Sequence, residues 1–306
     1  MPQLPNKVMT AAEAVERFVP DGAVVGMGGL SVARGPIALT HEVVRQGKRD
    51  LTLVGCSLNL PMDLMVGAGL VKRTESGSGN MEQFGLAYRW REAVEQGTID
   101  VVDYTHLSMA LRFLAGSLGL PFMPSRSLLG SDILERQRDE KLDAFHVMNN
   151  PYGEGGPVVL LPAVTPDVSL LHVQKADEMG NVVVEGITTH EPEMAKASSA
   201  VIVTCEELIS TEEVRRNPTM TTIPYIYVNA VVVQPWGAYP TSCYGYYEDD
   251  PEHSWAYQAA ARPGGDAYAE YMERYVTGCA DFDAFLALAV SDARREELRE
   301  SMLALL

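Results

Sequence analysis

No apolar run in this chain approaches the ~18 residues needed to cross a bilayer, and no two of its cysteines form a C-x-x-C pair. The first absence leaves no membrane span. The second matters because only four cysteines (Cys56, Cys205, Cys243 and Cys279) are scattered over 306 residues. They offer no zinc site by spacing, no metal is expected, and the pattern suits a reducing compartment. Positive charge is also scarce: 24 Lys and Arg against 41 Asp and Glu leave a formal net charge of −17. A nucleic-acid binder would show a basic patch or stripe, so that class is excluded. An anionic small ligand is not, because a few local Arg and Lys suffice. The opening stretch "MPQLPNKVMTAAEAVERF" has no apolar h-region, and Glu13 and Glu16 stand where one would lie. The expected location is the cytoplasm.

What is present is an alternation of short apolar runs and amphipathic stretches. "TAAEAVERFVP" reads as a helix with Thr10 as N-cap and Glu13 completing a capping box. "GAVVGMGG", "DLTLVGCS", "LVKRTES" and "TIDVVDY" read as strands. Between and after them, "PIALTHEVVRQG", "MDLMVGAG", "MEQFGLAYRWREAVEQG" and "HLSMALRFLAGSLG" read as helices, with Gly47 and Gly97 as stops. Strands alternating with helices imply βαβ units and a mostly parallel sheet.

From about residue 125 the pattern loosens into a polar, turn-rich segment, read as an insertion over 125–156 placed to cover the mouth of the sheet. Strands return at "VVLLPAV", "VSLLHVQKA", "NVVVEG", "AVIVTCEEL" and "NAVVVQP", with helix signals at "EPEMAKAS" and "STEEVRRNP". After residue 250 two or three helices close the chain. The expected fold is an open αβα sandwich over residues 1–250 with a helical extension over 251–306, without internal repeat or low-complexity segment.

The glycine cluster "GMGGLS" raises the question of a dinucleotide. The fingerprint G-x-G-x-x-G requires a third glycine where this chain has Ser31, and an acid at the end of the second strand. Asp50 lies before that strand. The spacing therefore departs from a pyrophosphate clamp on two counts. A tight strand-to-helix turn without a ligand is the plainer alternative.

G-x-G-G followed by a hydrophobic residue, here Leu30, resembles the turn of the A (alpha) subunit of family I coenzyme A transferases, of the glutaconate type. "DLTLVGCS", "LVKR", "LGLPFMP", "VTCEELISTEEVRRNPT" and "VVVQPWGAYPTSCYGYYEDD" resemble further segments of that subunit, in the same order over roughly residues 8–250. Leu30 stands where the family usually has Phe. The resemblance implies an enzyme moving CoA between an acyl-CoA and a small carboxylate or dicarboxylate. Its covalent intermediate forms on a glutamate of the B (beta) subunit, so this chain would carry no nucleophile and would act in a hetero-oligomer. Gly28, Gly29, Leu30 and Ser31 would then shape the pocket and offer backbone N–H groups to an oxyanion.

The same resemblance singles out His106. It stands at a polar pocket position where related transferases carry Gln and a ring-cleaving hydrolase carries an acid. Three roles are open: general acid or base, hydrogen-bond donor, or simple packing at a helix start. As a base it would turn the outcome toward hydrolysis, decarboxylation or lysis of a CoA ester. Cys56 and Ser57 follow the second strand, and Ser76, Ser78 and Asn80 follow the third, near a helix N-terminus suited to a carboxylate. Cys56 has no sequence-adjacent histidine, and a buried free thiol is commonplace.

Other groups read as structural. Glu206 and Glu207 point to opposite faces of a strand, and Ser210 with Glu213 caps the next helix. "HEPEM" is not H-E-x-x-H, so Pro192 marks a helix start rather than a zinc site. Arg34, Lys72, Arg73 and the run "EDD" read as solvated surface. Tyr239, Tyr244, Tyr246 and Tyr247 read as an interface between subunits. A non-catalytic ligand-binding module is the reading from another class.

Overall fold

Continuous apolar runs explain why the main sheet is covered on both faces. The computed structural model describes residues 5–139 and 144–305. Residues 1–4 of the opening stretch, 140–143 of the expected insertion and Leu306 lie outside the described residues. The strands are β1 (Val24–Met27), β2 (Leu51–Gly55), β3 (Val71–Ser76), β4 (Asp100–Asp103), β5 (Phe122–Ser125), β6 (His146–Asn149), β7 (Pro157–Pro162), β8 (Val168–Asp177), β9 (Val182–Val183), β10 (Ala200–Ile209) and β11 (Ala230–Val233). The main sheet has the order β11-β10-β8-β1-β2-β3-β4, all parallel, with β9 added antiparallel to β8.

The helices are α1 (Ala11–Phe18), α2 (Ile37–Arg45), α3 (Leu60–Gly67), α4 (Tyr88–Gln96), α5 (His106–Ser117), α6 (Asp132–Asp139), α7 (Glu191–Ala197), α8 (Thr211–Arg216), α9 (Pro251–Ala261), α10 (Ala267–Met272), α11 (Phe282–Ala289) and α12 (Asp292–Leu303). Strand periodicity sends alternate side chains to opposite cores. Leu51, Leu53, Leu170 and Ile202 join the core packed by α1, α2, α3 and the C-terminal helices. Val54, Leu171, Val201 and Val203 join the core packed by α5 and α7. Two helical layers therefore flank one parallel sheet, the αβα arrangement expected.

Several local readings hold. Thr10 and Glu13 form the reciprocal cap of α1, Gly97 ends α4 in the left-handed region, and Ser210 caps α8. Others need correction. The helix expected from Met81 begins only at Tyr88, because Asn80 accepts from the Glu82 N–H and Gly85 turns the chain at φ +97°. "VVLLPAV" pairs antiparallel with β5 and β6 in a separate three-stranded sheet that the sequence pattern did not announce. Arg112 of α5 ties that sheet down by donating to Pro162 O at 2.9 Å.

Four α-helices and a short π-helical segment, not two or three helices, follow residue 250 among the described residues, and Tyr257, Phe285 and Leu298 lie in the same core as α2. The "EDD" run is not a solvated turn at its end. Asp250 is buried, accepts from the Tyr239 hydroxyl at 2.6 Å and from Arg294 Nη2 at 2.9 Å, and caps α9.

Two buried imidazoles sit among the C-terminal aromatics. His41 packs edge-on against Phe285 with ring centroids 4.6 Å apart, and His253 bonds the Tyr271 hydroxyl at 2.9 Å. Burial pushes the His253 pKa down to about 4, with Asp250 opposing, and drives His41 well below its ordinary value, helped by Arg45 and His253. A folded-state pKa below the unfolded one means that the unfolded chain binds protons first as pH falls. Stability is therefore full above about pH 6.5 and is lost toward pH 4, with His253 contributing on the order of 3 kcal/mol. Melting temperatures recorded from pH 7.5 to 4 should fall less steeply for His253→Phe than for the parent chain. An unchanged slope would place the proton uptake elsewhere.

Candidate active site

Chain order runs outward from β1 to β4 on one side and from β8 to β11 on the other, so it reverses between β1 and β8. Open parallel sheets bind ligands beyond the carboxyl ends of their strands at such a reversal. Backbone pairing here continues past the strand ends. Gly77 N donates to Cys56 O at 3.1 Å, Leu58 N to Ser78 O at 2.9 Å, and Tyr104 N to Ser76 O at 2.9 Å. The loops after β1, β2, β3 and β4 thus lie side by side, across roughly 14 Å at the usual strand spacing.

Three of these loops bring Ser57, Ser78 and His106 into contact. His106 Nε2 is 3.0 Å from Ser78 Oγ, and Ser78 Oγ donates to Ser57 Oγ at 3.2 Å. Gly77 permits this approach: a Cβ there would fall 2.5 Å from both His106 Cδ2 and the His106 backbone nitrogen. Cys56 is buried beneath them, its thiol aimed at His106 O at 3.6 Å. Burial, then the charge of Glu191, pushes its pKa up to about 12. A thiol so protonated is a poor nucleophile. Asn80 is spent on its local turn, accepting from Glu82 N at 2.9 Å.

The glycine turn is a tight hairpin. Leu30 and Ala33 exchange backbone hydrogen bonds of 3.0 and 2.9 Å, leaving Ser31 and Val32 at the tip. Gly29 lies at φ +82°, and Ser31 and Arg34 adopt φ +56° and +54°, a left-handed conformation that costs a residue with a Cβ about 1 kcal/mol or more. The N–H groups expected to meet an oxyanion are not free: Gly28 donates to Leu170 O at 3.0 Å and Gly29 to Glu191 Oε1 at 3.0 Å. Those of Ser31 and Val32 have no partner among the described residues. Beside the hairpin opens a mainly apolar cleft of about 540 Å³, walled by Leu30, Arg34, Ile187, Tyr244 and Met302.

Arg34, read from the sequence as a surface residue, is instead buried. Its Nη1 and Nη2 grip Glu191 at 2.7 and 2.6 Å, while Nη2 also donates to Ile187 O at 2.7 Å. Burial raises the Glu191 pKa, but Arg34 and the Gly29 N–H outweigh it, and the net shift is downward. Sequence reasoning missed this pair because 157 positions separate its members. The signal was "HEPEM", read only as a helix start.

A second buried network lies under the sheet's other half. Glu206 accepts from the Tyr247 hydroxyl and Trp236 N, both at 2.8 Å, and its Oε1 lies 2.8 Å from His172 Nε2. Glu207 points away toward the Tyr246 hydroxyl, as strand alternation requires. Of the four tyrosines read as interface, Tyr239 and Tyr247 are instead fully buried within this chain. His172, Glu206 and Cys243 place three metal-ligand atoms within 4.8 Å of one another. Both ring nitrogens of His172 and both oxygens of Glu206 are already in hydrogen bonds. Coordination there would require that network to be dismantled.

The pattern shared by coenzyme A transferases matches residues 8–234. An uncharacterised protein of Archaeoglobus fulgidus is 36% identical over 299 residues, covering 97% of this chain, which spans 65% of that protein's length. The A subunit of glutaconate CoA-transferase from Acidaminococcus fermentans is 33% identical over 292 residues, 92% of this chain and 91% of that one. A crystal structure of that organism's glutaconate CoA-transferase superposes with a TM-score of 0.91 at 31% identity, covering 96% and 95% of the two chains. The AibA/AibB decarboxylase is similar too, with a TM-score of 0.78 at 33% identity over 90% of this chain and all of the other.

Two substitutions test the site's construction. Glu191→Gln leaves Arg34 buried without its counter-charge and should cost about 3–5 kcal/mol in chemical denaturation. A cost below ~1 kcal/mol would contradict the clamp. Gly77→Ala should displace His106 and lower kcat by at least about tenfold while the far-ultraviolet spectrum keeps its native shape.

Proposed function

The chain belongs to the coenzyme A transferase family, and from that premise we propose that it is the A subunit of a heteromeric CoA-transferase. The reaction moves CoA from an acyl-CoA to a small carboxylate, with a dicarboxylate of the glutaconate class as the favoured substrate. Coenzyme A enters as part of that substrate rather than as a resident cofactor, and no metal is invoked. Residues 1–250 are taken as the α/β unit and 251–306 as its helical extension. Four free, buried cysteines support a reducing, cytoplasmic setting.

One observation carries the division of labour. The turns that directly follow β1 to β4, residues 28–35, 56–59, 77–80 and 105–106, contain hydroxyls, an imidazole and amides but no Asp or Glu, and Glu82, further along the loop after β3, is exposed. Glu191, buried beside the hairpin, is fully engaged by Arg34 and Gly29. Of the two carboxylates that line the cleft, Glu185 pairs with Lys175 at 2.9 Å, while Glu248 directly follows Tyr247 in the chain. Covalent catalysis on a carboxylate needs a free one, and the family resemblance assigns that nucleophilic glutamate to a B subunit. This chain supplies Gly28, Gly29, Leu30 and Ser31 as the pocket wall and Ser57, Ser78 and His106 as its polar floor. Cys56 and Asn80 then shape that floor.

The likeness to a decarboxylase makes loss of CO₂ the competing outcome, and the test separates the two. The chain, given its B subunit together with glutaconyl-CoA, should form a hydroxylamine-sensitive glutamyl thioester on that partner and exchange CoA with acetate. The chain alone should do neither. Turnover by this chain alone, or CO₂ release without a thioester, would contradict the proposal.

A further inference from the structure

The hairpin tip borders a second, much smaller opening. Ser31 and Val32 wall the apolar cleft and also a separate narrow slot. Leu60, Phe84 and Pro240 give that slot its apolar walls, and Asn59 and Ser254 add polar groups. Its volume is about 10 Å³, the room that one water-sized group needs. Asn59 is 6% exposed and Ser254 4%. Neither end of the Asn59 amide has a hydrogen-bond partner among the described residues, and the hydroxyls of Ser254 and Ser31 have none either. Buried polar groups are normally paired, so these stand out. Thr241, the other hydroxyl in the lining, is spent: it donates to Ala238 O at 2.6 Å and accepts from Gly35 N at 3.0 Å.

The slot also meets the start of a helix. Asn59 is the N-cap of α3, which has 8 residues, and its side chain makes no capping bond. The N–H groups of Leu60 and Met62 have no partner among the described residues, and such a helix end is electropositive. Asp63, the acid in that first turn, is committed elsewhere, accepting from Trp90 N at 2.7 Å and from the Tyr257 hydroxyl at 2.8 Å. No residue lining the slot carries a charge. A donor-rich recess at a helix N-terminus suits an oxygen of a carboxylate, and nothing in this lining repels one.

We propose that the slot holds the far end of the acyl chain, taking one oxygen of the terminal carboxylate of a short dicarboxylic acyl-CoA, with Asn59 and Ser254 as its specificity-determining residues. The inference rests on the transferase reading above and names what selects its substrate. The tip N–H groups of Ser31 and Val32 meet the reacting carbonyl, and the same two residues wall the slot, so one hairpin serves both ends of a short acyl group. A chain ending in a methyl group leaves the slot's donors unpaired, which a site built to hydrogen-bond its ligand penalises heavily. Ser254 belongs to α9, beyond residues 8–234 where the family pattern matches. Substrate choice is therefore set in part by the helical extension.

The test compares glutaconyl-CoA with crotonyl-CoA, which lacks the terminal carboxylate, in CoA exchange with acetate by the assembled enzyme. The parent should prefer glutaconyl-CoA in kcat/KM. Ser254→Ala and Asn59→Ala should each lower that preference about tenfold or more, and Asn59→Asp, which sets a like charge in the slot, should lower it furthest. Ser254→Ala removes only a hydroxyl, so it reports even where Asn59→Ala loosens α3. A crystal structure of the parent enzyme with glutarate should show a carboxylate oxygen within hydrogen-bond distance of the Asn59 amide and the Ser254 hydroxyl. Water alone in the slot, or a preference unchanged in Ser254→Ala, would overturn the assignment. Absence of CoA exchange by the parent would overturn the transferase reading instead. The glutarate structure, which needs no turnover, tells the two failures apart.

Discussion

The site depends on one buried ion pair. Arg34 and Glu191 join the hairpin after β1 to the start of α7, across the place where the strand order reverses. Removing two charges from water is expensive, and their attraction offsets that cost only when geometry and remaining hydrogen bonds are good. Both conditions are met here. The guanidinium meets the carboxylate in bidentate fashion, Ile187 and His172 carbonyls take further guanidinium hydrogens, and Gly29 N–H completes the carboxylate. The same pair anchors a hairpin in which Ser31 and Arg34 adopt left-handed backbone conformations. It consumes the N–H of Gly29, so the donors left facing outward are those of the hairpin tip. The glycines are the means by which the chain turns, and the ion pair decides what the turn presents.

From that anchor the remaining loops follow in register. Backbone hydrogen bonds continue the parallel pairing past β2, β3 and β4, so the spacing of Ser57, Ser78 and His106 is set by the sheet and not by flexible loops. Sites built on such rigid elements hold their geometry well. In the proposed enzyme this chain would offer donors, an imidazole and a wall, with Glu191 and Glu185 near the mouth neutralised by Arg34 and Lys175. The group that becomes acylated would then come from the partner subunit.

Much of this architecture is legible in the sequence because it is local. Apolar runs separated by capped amphipathic helices give the parallel sheet, and Thr10–Glu13, Gly97 and Ser210 mark helix ends within a few residues of themselves. The blocks around "GMGGLS" and "GCSLN" place the loops correctly for the same reason. What was not legible is long-range. Arg34 and Asp250 look like surface charges until Glu191, Tyr239 and Arg294 arrive from distant parts of the chain. Tyr239 and Tyr247 look like an interface until the C-terminal helices and Glu206 enclose them. The contact between His106 and Ser78 spans 28 positions and two strands, and no spacing rule announces it. The late start of α4 is a milder case, in which Gly85 overrides a helix-forming stretch.

The central claim is that the reacting carbon lies over the loops of β1 to β4 while the covalent bond forms on the other chain. A structure of the assembled pair trapped as its CoA thioester measures this directly. The account predicts the acyl carbon attached to a B-subunit glutamate, with the Ser31 and Val32 N–H groups and the His106 imidazole facing it. An acyl group carried by a carboxylate of this chain, or seated against the three-stranded sheet of β5, β6 and β7, would contradict it.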